Sequence, residues 1–258
     1  MKHVDMHAHS HISIDGNASI ADMAAAALAA GLAGIAITDH VDWHPKDMGF
    51  CFYRQEDYDR EIARVREEYA GRLLVLRGIE ADGGPWQRRA YAAQMARELD
   101  VVVGGTHWVG GAMSGDPTGE GRGFGAFFYA YCKQVIAALR LGGIDVLAHI
   151  DFPLRYFGER EMPEALVDEV LGEVARRDVA LEINTSGLRK GPLGRTLPGP
   201  ELLRRFVAVG GKYVTLGSDA HRPEDVGAGF ELAHTQAVEA GLEVVYFVGR
   251  ERRIVRQD

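Results

Sequence analysis

His7-Ala8-His9 closes a short strand-like run that begins at Val4. Alternate side chains of an extended chain leave the same face, so these two imidazoles stand side by side and can grip one cation. The pattern recurs along the chain. Gly34–Thr38 runs into Asp39-His40, Leu73–Ile79 into Glu80, Val101–Gly105 towards His107, Ile144–Ala148 into His149, and Tyr213–Ser218 into Asp219-Ala220-His221. Buried imidazoles and carboxylates that converge without a partner leave unsatisfied polar atoms, each costing roughly 1–3 kcal/mol. A shared cation removes that cost, and a mixed nitrogen and oxygen donor set suits zinc, manganese or iron. There are more donors than one ion can hold, which implies several ions sharing a bridging carboxylate, an arrangement that commonly drives hydrolysis.

The other histidines read differently. His3 begins the first strand, at the far end from the site, and reads as structural. His44 lies in a loop and reads as solvated, and His234 is mid-helix, at the surface or in packing. His11 is close enough to the histidine pair to support it.

These donors need elements to carry them. Ser19 to Asp22 resembles a capping box, opening an alanine-rich helix that stops near Gly31. A loop with Trp43, His44, Phe50, Phe52 and Tyr53 precedes a helix over 56–69, and Pro85 opens another that reaches about Leu99. A glycine-rich loop over 110–125, a candidate lid, leads to a helix ending near Leu141. A helix opens at Pro163, the sixth strand is Val179–Asn184, and helices follow over 200–209 and 224–240, with a last strand over 244–248. Strands alternating with helices imply parallel pairing with right-handed crossovers. Seven or eight such units close most naturally into a barrel with its chemistry at the C-terminal strand ends. The expectation is one domain spanning 1–258, a distorted, TIM-like (β/α)7 barrel.

Bulk properties narrow the function. The net charge is −8, and lysine contributes only Lys2, Lys46, Lys133, Lys190 and Lys212. An acidic chain without a basic track argues against nucleic acid as a partner. Cys51 and Cys132 provide neither a disulfide framework nor a thiolate zinc site, which suits a reducing compartment. The longest uncharged run, Met23–Thr38, is too short to span a membrane, and no basic leader precedes it. A cytoplasmic protein is expected.

Val-Asp-Met-His-Ala-His-Ser, Ile-Thr-Asp-His, Gly-Ile-Glu-Ala-Asp, Thr-His, Ala-His-Ile-Asp and Gly-Ser-Asp-Ala-His follow one another as do the motifs of the PHP (polymerase and histidinol phosphatase) superfamily, which this chain resembles through nearly its whole length. The resemblance implies a distorted (β/α)7 barrel with a trinuclear centre, holding about two to three divalent ions, zinc, manganese or iron. Carried over, His7, His9, Glu80 and Asp219 would hold one ion, and Glu80 would bridge to a second held with His107 and His149. His40 and His221 would hold a third with Asp15, for which His11 competes. Of these, His7, His9, Glu80, His107 and Asp219 would be the catalytic core. Leu181 to Lys190 is similar to the histidinol-phosphate phosphatase branch, where arginines after the fifth and sixth strands grip phosphate, and Arg155 and Arg189 match them. The stretch Thr106–Gly111 departs from that branch's wording.

The implied function is phosphomonoester hydrolysis by metal-activated hydroxide. The implied substrate is L-histidinol phosphate in histidine biosynthesis, its cationic part received by Glu182, Asp42 or the loop around Trp43 and Phe52. The alternatives are another small phosphate (a nucleotide or sugar phosphate), an amidohydrolase and a non-catalytic metal-binding module. The amidohydrolase reading lacks a lysine ending a predicted strand to bridge its metals.

Overall fold

The computed structural model describes residues 2–114 and 123–255. Seven parallel strands carry the site: β1 (Val4–Ala8), β2 (Gly34–Ile37), β4 (Leu74–Asp82), β5 (Val101–Gly104), β8 (Val146–Leu147), β9 (Ala180–Asn184) and β10 (Tyr213–Gly217), paired in that order. β3 (His40–Asp42) continues the line of β2 after a break at Thr38-Asp39 and pairs with the upper end of β4, setting His40 beside Glu80. Helices α1 (Ile20–Ala29), α2 (Gln55–Glu68), α3 (Arg88–Met95), α4 (Phe124–Leu141), α6 (Glu164–Arg176), α7 (Pro200–Ala208) and α8 (Phe230–Ala240) connect the strands, and the short α5 (Leu154–Phe157) follows β8.

The ring closes only at its upper rim. Asp219 N donates to His7 O and His9 N to Ala220 O, each at 2.8 Å, around the parallel bridge Ala8–Ala220. Lower down, β10 pairs instead with β11 (Glu243–Val248), which β12 (Glu251–Ile254) flanks antiparallel. The closure is therefore by a bridge at the site end, not by a continuous ladder, and the barrel is distorted as expected.

Val4, Met6, Ala36, Leu76, Val101, Val103, Val146 and Ala180 pack into one interior cluster. The outer strand faces pack with the helices into a larger one that includes Ile35, Val75, Leu181 and Val214. The alternation that points Leu76 and Ala180 inward also points Glu80 and Glu182 inward, higher on the same strands. In β1 a register shift between Asp5 and Ala8 intervenes, so the interior Met6 is followed at once by the inward His7. Ser19 caps α1 in the expected box, with Asp22 reciprocating.

Several elements differ from expectation. Pro85 sits in a single 3-10 turn (Gly84–Trp86) before α3, which stops at Met95, and the helix expected over 224–240 begins at Phe230 after a 3-10 turn over Pro223–Asp225. Where the glycine-rich loop was expected, β6 (Trp108–Val109) and β7 (Ala112–Met113) form a small hairpin. Half of the lid expectation for 110–125, residues 115–122, lies outside the described residues. No helix among the described residues is long and apolar enough to cross a membrane.

Candidate metal centre

Glu80 is buried at the centre of a ring of imidazoles. Its Oε2 lies 3.2 Å from His7 Nε2, 3.5 Å from His9 Nε2 and 3.1 Å from His40 Nδ1, and its Oε1 lies 3.4 Å from His107 Nε2 and 3.1 Å from His149 Nε2. Asp219 Oδ1 is 3.7 Å from His9 Nε2 and 3.4 Å from His221 Nδ1, while Asp15 Oδ2 is 2.9 Å from His221 Nε2 and 3.7 Å from His40 Nε2. Among the donor groups that the described residues form are His7 with His9 and Asp219, Glu80 with His107 and His149, and His9 with Asp15, His40 and His221. The expected first set also held Glu80, whose Oε2 lies 3.2 and 3.5 Å from the Nε2 atoms of His7 and His9, and the last of these groups takes in His9 as well.

A surrounding layer of hydrogen bonds fixes which nitrogens face inward. His7 Nδ1 lies 2.6 Å from Glu182 Oε1, so its proton is held there and Nε2 presents a lone pair to the centre. Ser13 Oγ gives its single proton to Asp39 and accepts from His40 N–H. At His9 Nδ1, 3.1 Å away, it can therefore only accept, which turns the His9 Nε2 lone pair inward too. His7 Nε2 and His9 Nε2 then face each other at 3.1 Å, and both face Glu80 Oε2. Acceptors at such distances repel unless a cation lies among them. Two donors on a tetrahedral ion at about 2.0–2.1 Å stand roughly 3.3 Å apart, so the observed spacings fit divalent metal ions. The all-nitrogen-and-oxygen set fits zinc, manganese or iron.

The backbone is forced where these ligands leave their strands. His149 and Asp219 have φ of 21° and 52°, rare for residues with a Cβ and typical of functional sites. Titration carries the same message. Burial disfavours charge on every group here, yet Glu182 and Glu80 hold His7 well above the usual histidine range. Glu80 likewise holds His107 up, at about 9. Against its own burial, Glu80 is pulled well below the carboxylate range by His7, His40 and His107. Without metal the carboxylate draws protons onto its neighbours; the centre demands positive charge.

Asp15, not His11, lies among the donors. His11 is exposed and bonds Ala18 O, with Glu61 3.5 Å away. Arg155 is buried, with Asp219 Oδ2 at 2.9 Å and Ser186 Oγ also accepting from its Nη2, and the guanidinium stands 4.8 Å over the Phe152 ring. Arg189, expected to reach the phosphate, instead pairs with Asp225 at 3.0 Å and donates to Ser218 O at 2.7 Å. Its neighbour Lys190 lines the cavity, 3.2 Å from His221 Nδ1 and 3.8 Å from Asp219 Oδ1. A 3-10 turn over Ser186–Leu188 decides which of the two consecutive cations points inward. The expectation that His44 is solvated is overturned: it is buried, stacked on Trp108 at 4.5 Å, and its Nε2 lies 2.9 Å from Gly110 O. His3 and His234 pack against each other, ring centres 4.9 Å apart.

Sequence reading missed the orienting roles of Ser13 and Asp39, and it offered Glu182 to the substrate where the structure sets it on His7. A lone carboxylate inside the apolar strand 180–183 was the available signal. Phe152, Tyr156 and Trp108 complete the lining of a cavity of about 330 Å³ that also reaches Asp42 and Asp47. Burial raises Asp42 to about 6 and Asp82, behind it, to about 7.

The family model described as the PHP domain matches residues 5–186. A probable histidinol-phosphatase of Deinococcus radiodurans is 32% identical over 255 residues, covering 96% of this chain and 97% of its own. A histidinol-phosphatase of Lactococcus lactis is 28% identical, covering 96% of both chains. The crystal structure of histidinol phosphate phosphatase from Lactococcus lactis, complexed with zinc, L-histidinol and phosphate, superposes with a TM-score of 0.85 over 99% of both chains at 23% identity, which establishes a shared fold.

Proposed function

We propose that this chain, which belongs to the PHP domain family, is a metal-dependent phosphatase whose substrate is L-histidinol phosphate, split to L-histidinol and phosphate in histidine biosynthesis. The observation that carries the metal-dependent reading is the convergence of His7 and His9 Nε2 on Glu80, which a shared metal ion accommodates. The named substrate rests on the relatives of similar length called histidinol-phosphatases.

His7, His9, Glu80 and Asp219 would hold one ion, Glu80, His107 and His149 a second, and Asp15, His40 and His221 a third. Bound there, divalent metal ions supply Lewis acidity and a water acidified to hydroxide at neutral pH. The chain's own residues do the rest. Asp219 and Ser186 clamp one nitrogen of Arg155, whose guanidinium lines the cavity and would donate to a phosphate oxygen there. Lys190 adds charge on the His221 side of the cavity, where phosphate oxygens gain negative charge in the transition state. Glu182, Ser13 and Asp39 keep His7 and His9 oriented, so donors do not reorganise during turnover.

The test is phosphate release by zinc- or manganese-loaded protein from a panel of histidinol phosphate, sugar phosphates and nucleoside monophosphates. Histidinol phosphate should be turned over with the highest kcat/KM. Rapid turnover of another monoester with none of histidinol phosphate refutes the substrate, and hydrolysis of no monoester refutes the phosphatase.

A further inference from the structure

Arg155 reaches the cavity from α5, a single turn of four residues without a side-chain cap. One isolated turn does not sustain itself, so its neighbours must hold it. The segment that follows β9 packs against it: a Cβ on Gly191 would stand 2.4 Å from Arg155 O. The same segment supplies Arg195, whose guanidinium spans α5 from end to end. Its Nη1 donates to Asp151 Oδ2 at 2.8 Å, ahead of the turn, and its Nε to Glu159 Oε1 at 2.6 Å, behind it. Asp151 is fully buried, and Arg195 is its only cationic partner among the described residues. The brace is anchored in turn. Asn184 and Leu197 exchange both backbone hydrogen bonds, at 2.8 and 2.9 Å, which ties the segment to the end of β9. Thr196 Oγ1 lies 2.8 Å from Gln236 Oε1 on α8, and Thr196 O accepts from Arg195 Nη1.

We propose that Arg195 is a positioning residue for phosphate binding: it braces α5 against the fixed end of β9 and so sets where the Arg155 guanidinium stands beside Asp219. Its part in turnover rests on the phosphatase reading above. Among the described residues Arg155 and Lys190 line the cavity and Arg195 does not, so Arg195 acts through another side chain. Arg155 is the one it can move, because Asp151 and Glu159 flank the turn that carries it. A shift of about 1 Å in such a donor can cost on the order of a hundredfold in rate. The planar fork of arginine serves two carboxylates and a carbonyl in fixed directions at once, which the single ammonium of lysine does not reproduce.

The test is a double-mutant cycle in zinc-loaded protein, read by calorimetric binding of inorganic phosphate, with turnover of histidinol phosphate followed in parallel. Arg195→Ala should weaken phosphate about tenfold, with metal content per chain unchanged by elemental analysis, and Arg195→Lys should recover little of that loss. In an Arg155→Ala background the same Arg195→Ala change should weaken phosphate less than about twofold, because the effect runs through Arg155. A side chain that only stabilises the fold would cost the same in both backgrounds. Glu159→Gln alters an exposed carboxylate, so it reads the brace even if Arg195→Ala fails to fold. It should weaken phosphate about threefold when Arg155 is present and leave it unchanged when Arg155 is absent. Equal losses in the two backgrounds, unchanged phosphate affinity in the variants that fold, or no phosphate binding by the wild-type protein overturns the assignment. Hydrolysis of no monoester, with the coupling in phosphate binding intact, counts against the phosphatase reading alone.

Discussion

Glu80 touches five imidazoles through two oxygens, so its loss should be felt at every ion. Glu80→Gln is expected to lower kcat/KM by roughly a thousandfold or more and to reduce bound metal, measured by phosphate release and elemental analysis. Arg155 and Arg189 separate cleanly. Arg155→Ala should lower kcat/KM about a hundredfold, the scale of one preorganised donor. Arg189→Ala should instead loosen the contact with Ser218 and Asp225 and chiefly lower thermal stability, while Lys190→Ala raises KM. Comparable catalytic losses from Arg155→Ala and Arg189→Ala would reverse that assignment. The raised histidines give a pH prediction whose sign is fixed. In metal-free protein His107 keeps its proton up to about 9, so its pairing with Glu80 stabilises the fold fully below the unfolded value of 6.5. That contribution is lost as pH rises through about 9. Metal must displace the same protons, so affinity should climb with pH over this window. Calorimetry in buffers of different ionisation enthalpy should register proton release on metal binding.

The strands do the positioning, and β9 and β10 show how narrow the tolerance is. A Cβ on Gly217 would stand 1.9 Å from Glu182 Oε1 and 2.8 Å from His7 Cβ. Gly217→Ala should therefore cost about 1–3 kcal/mol by overpacking, read as a fall in melting temperature, and it should weaken metal binding by displacing the carboxylate that holds His7. Most strands and their inward residues were legible because a buried parallel strand announces itself as an apolar run, and the donors break that run at its end. β3, the β6–β7 hairpin and β12 were not legible, being too short to show a period; β3 owes its pairing to the remote Glu80, while β6–β7 and β11–β12 are local hairpins. The burial of His44 could not be read because it depends on Trp108, remote in sequence. Neither could the choice between Arg189 and Lys190, which turns on the backbone path after β9.

At the scale of the molecule, the backbone closes the barrel at the rim that carries the metal ligands, through the bonds of His9 to Ala220 and Asp219 to His7, and the Asp5 carboxylate adds bonds from Ser218 N–H and Gly227 N–H. Ions that join His7, His9 and Asp219 reinforce that same seam. Chelation should consequently lower the melting temperature as well as abolish activity. A ligand at a hundred times its dissociation constant adds about 2.7 kcal/mol, worth several degrees for a chain of this size. The sequence resemblance reached the family because its motifs lie in order on successive strand ends. The most direct measurement is phosphate release from histidinol phosphate by chelator-stripped protein titrated with zinc or manganese. Activity should be absent at first and rise to a plateau only after more than one ion per chain has bound. Full activity of the stripped protein, or none at any metal loading, would contradict the reading of these side chains as the seat of metal-dependent hydrolysis.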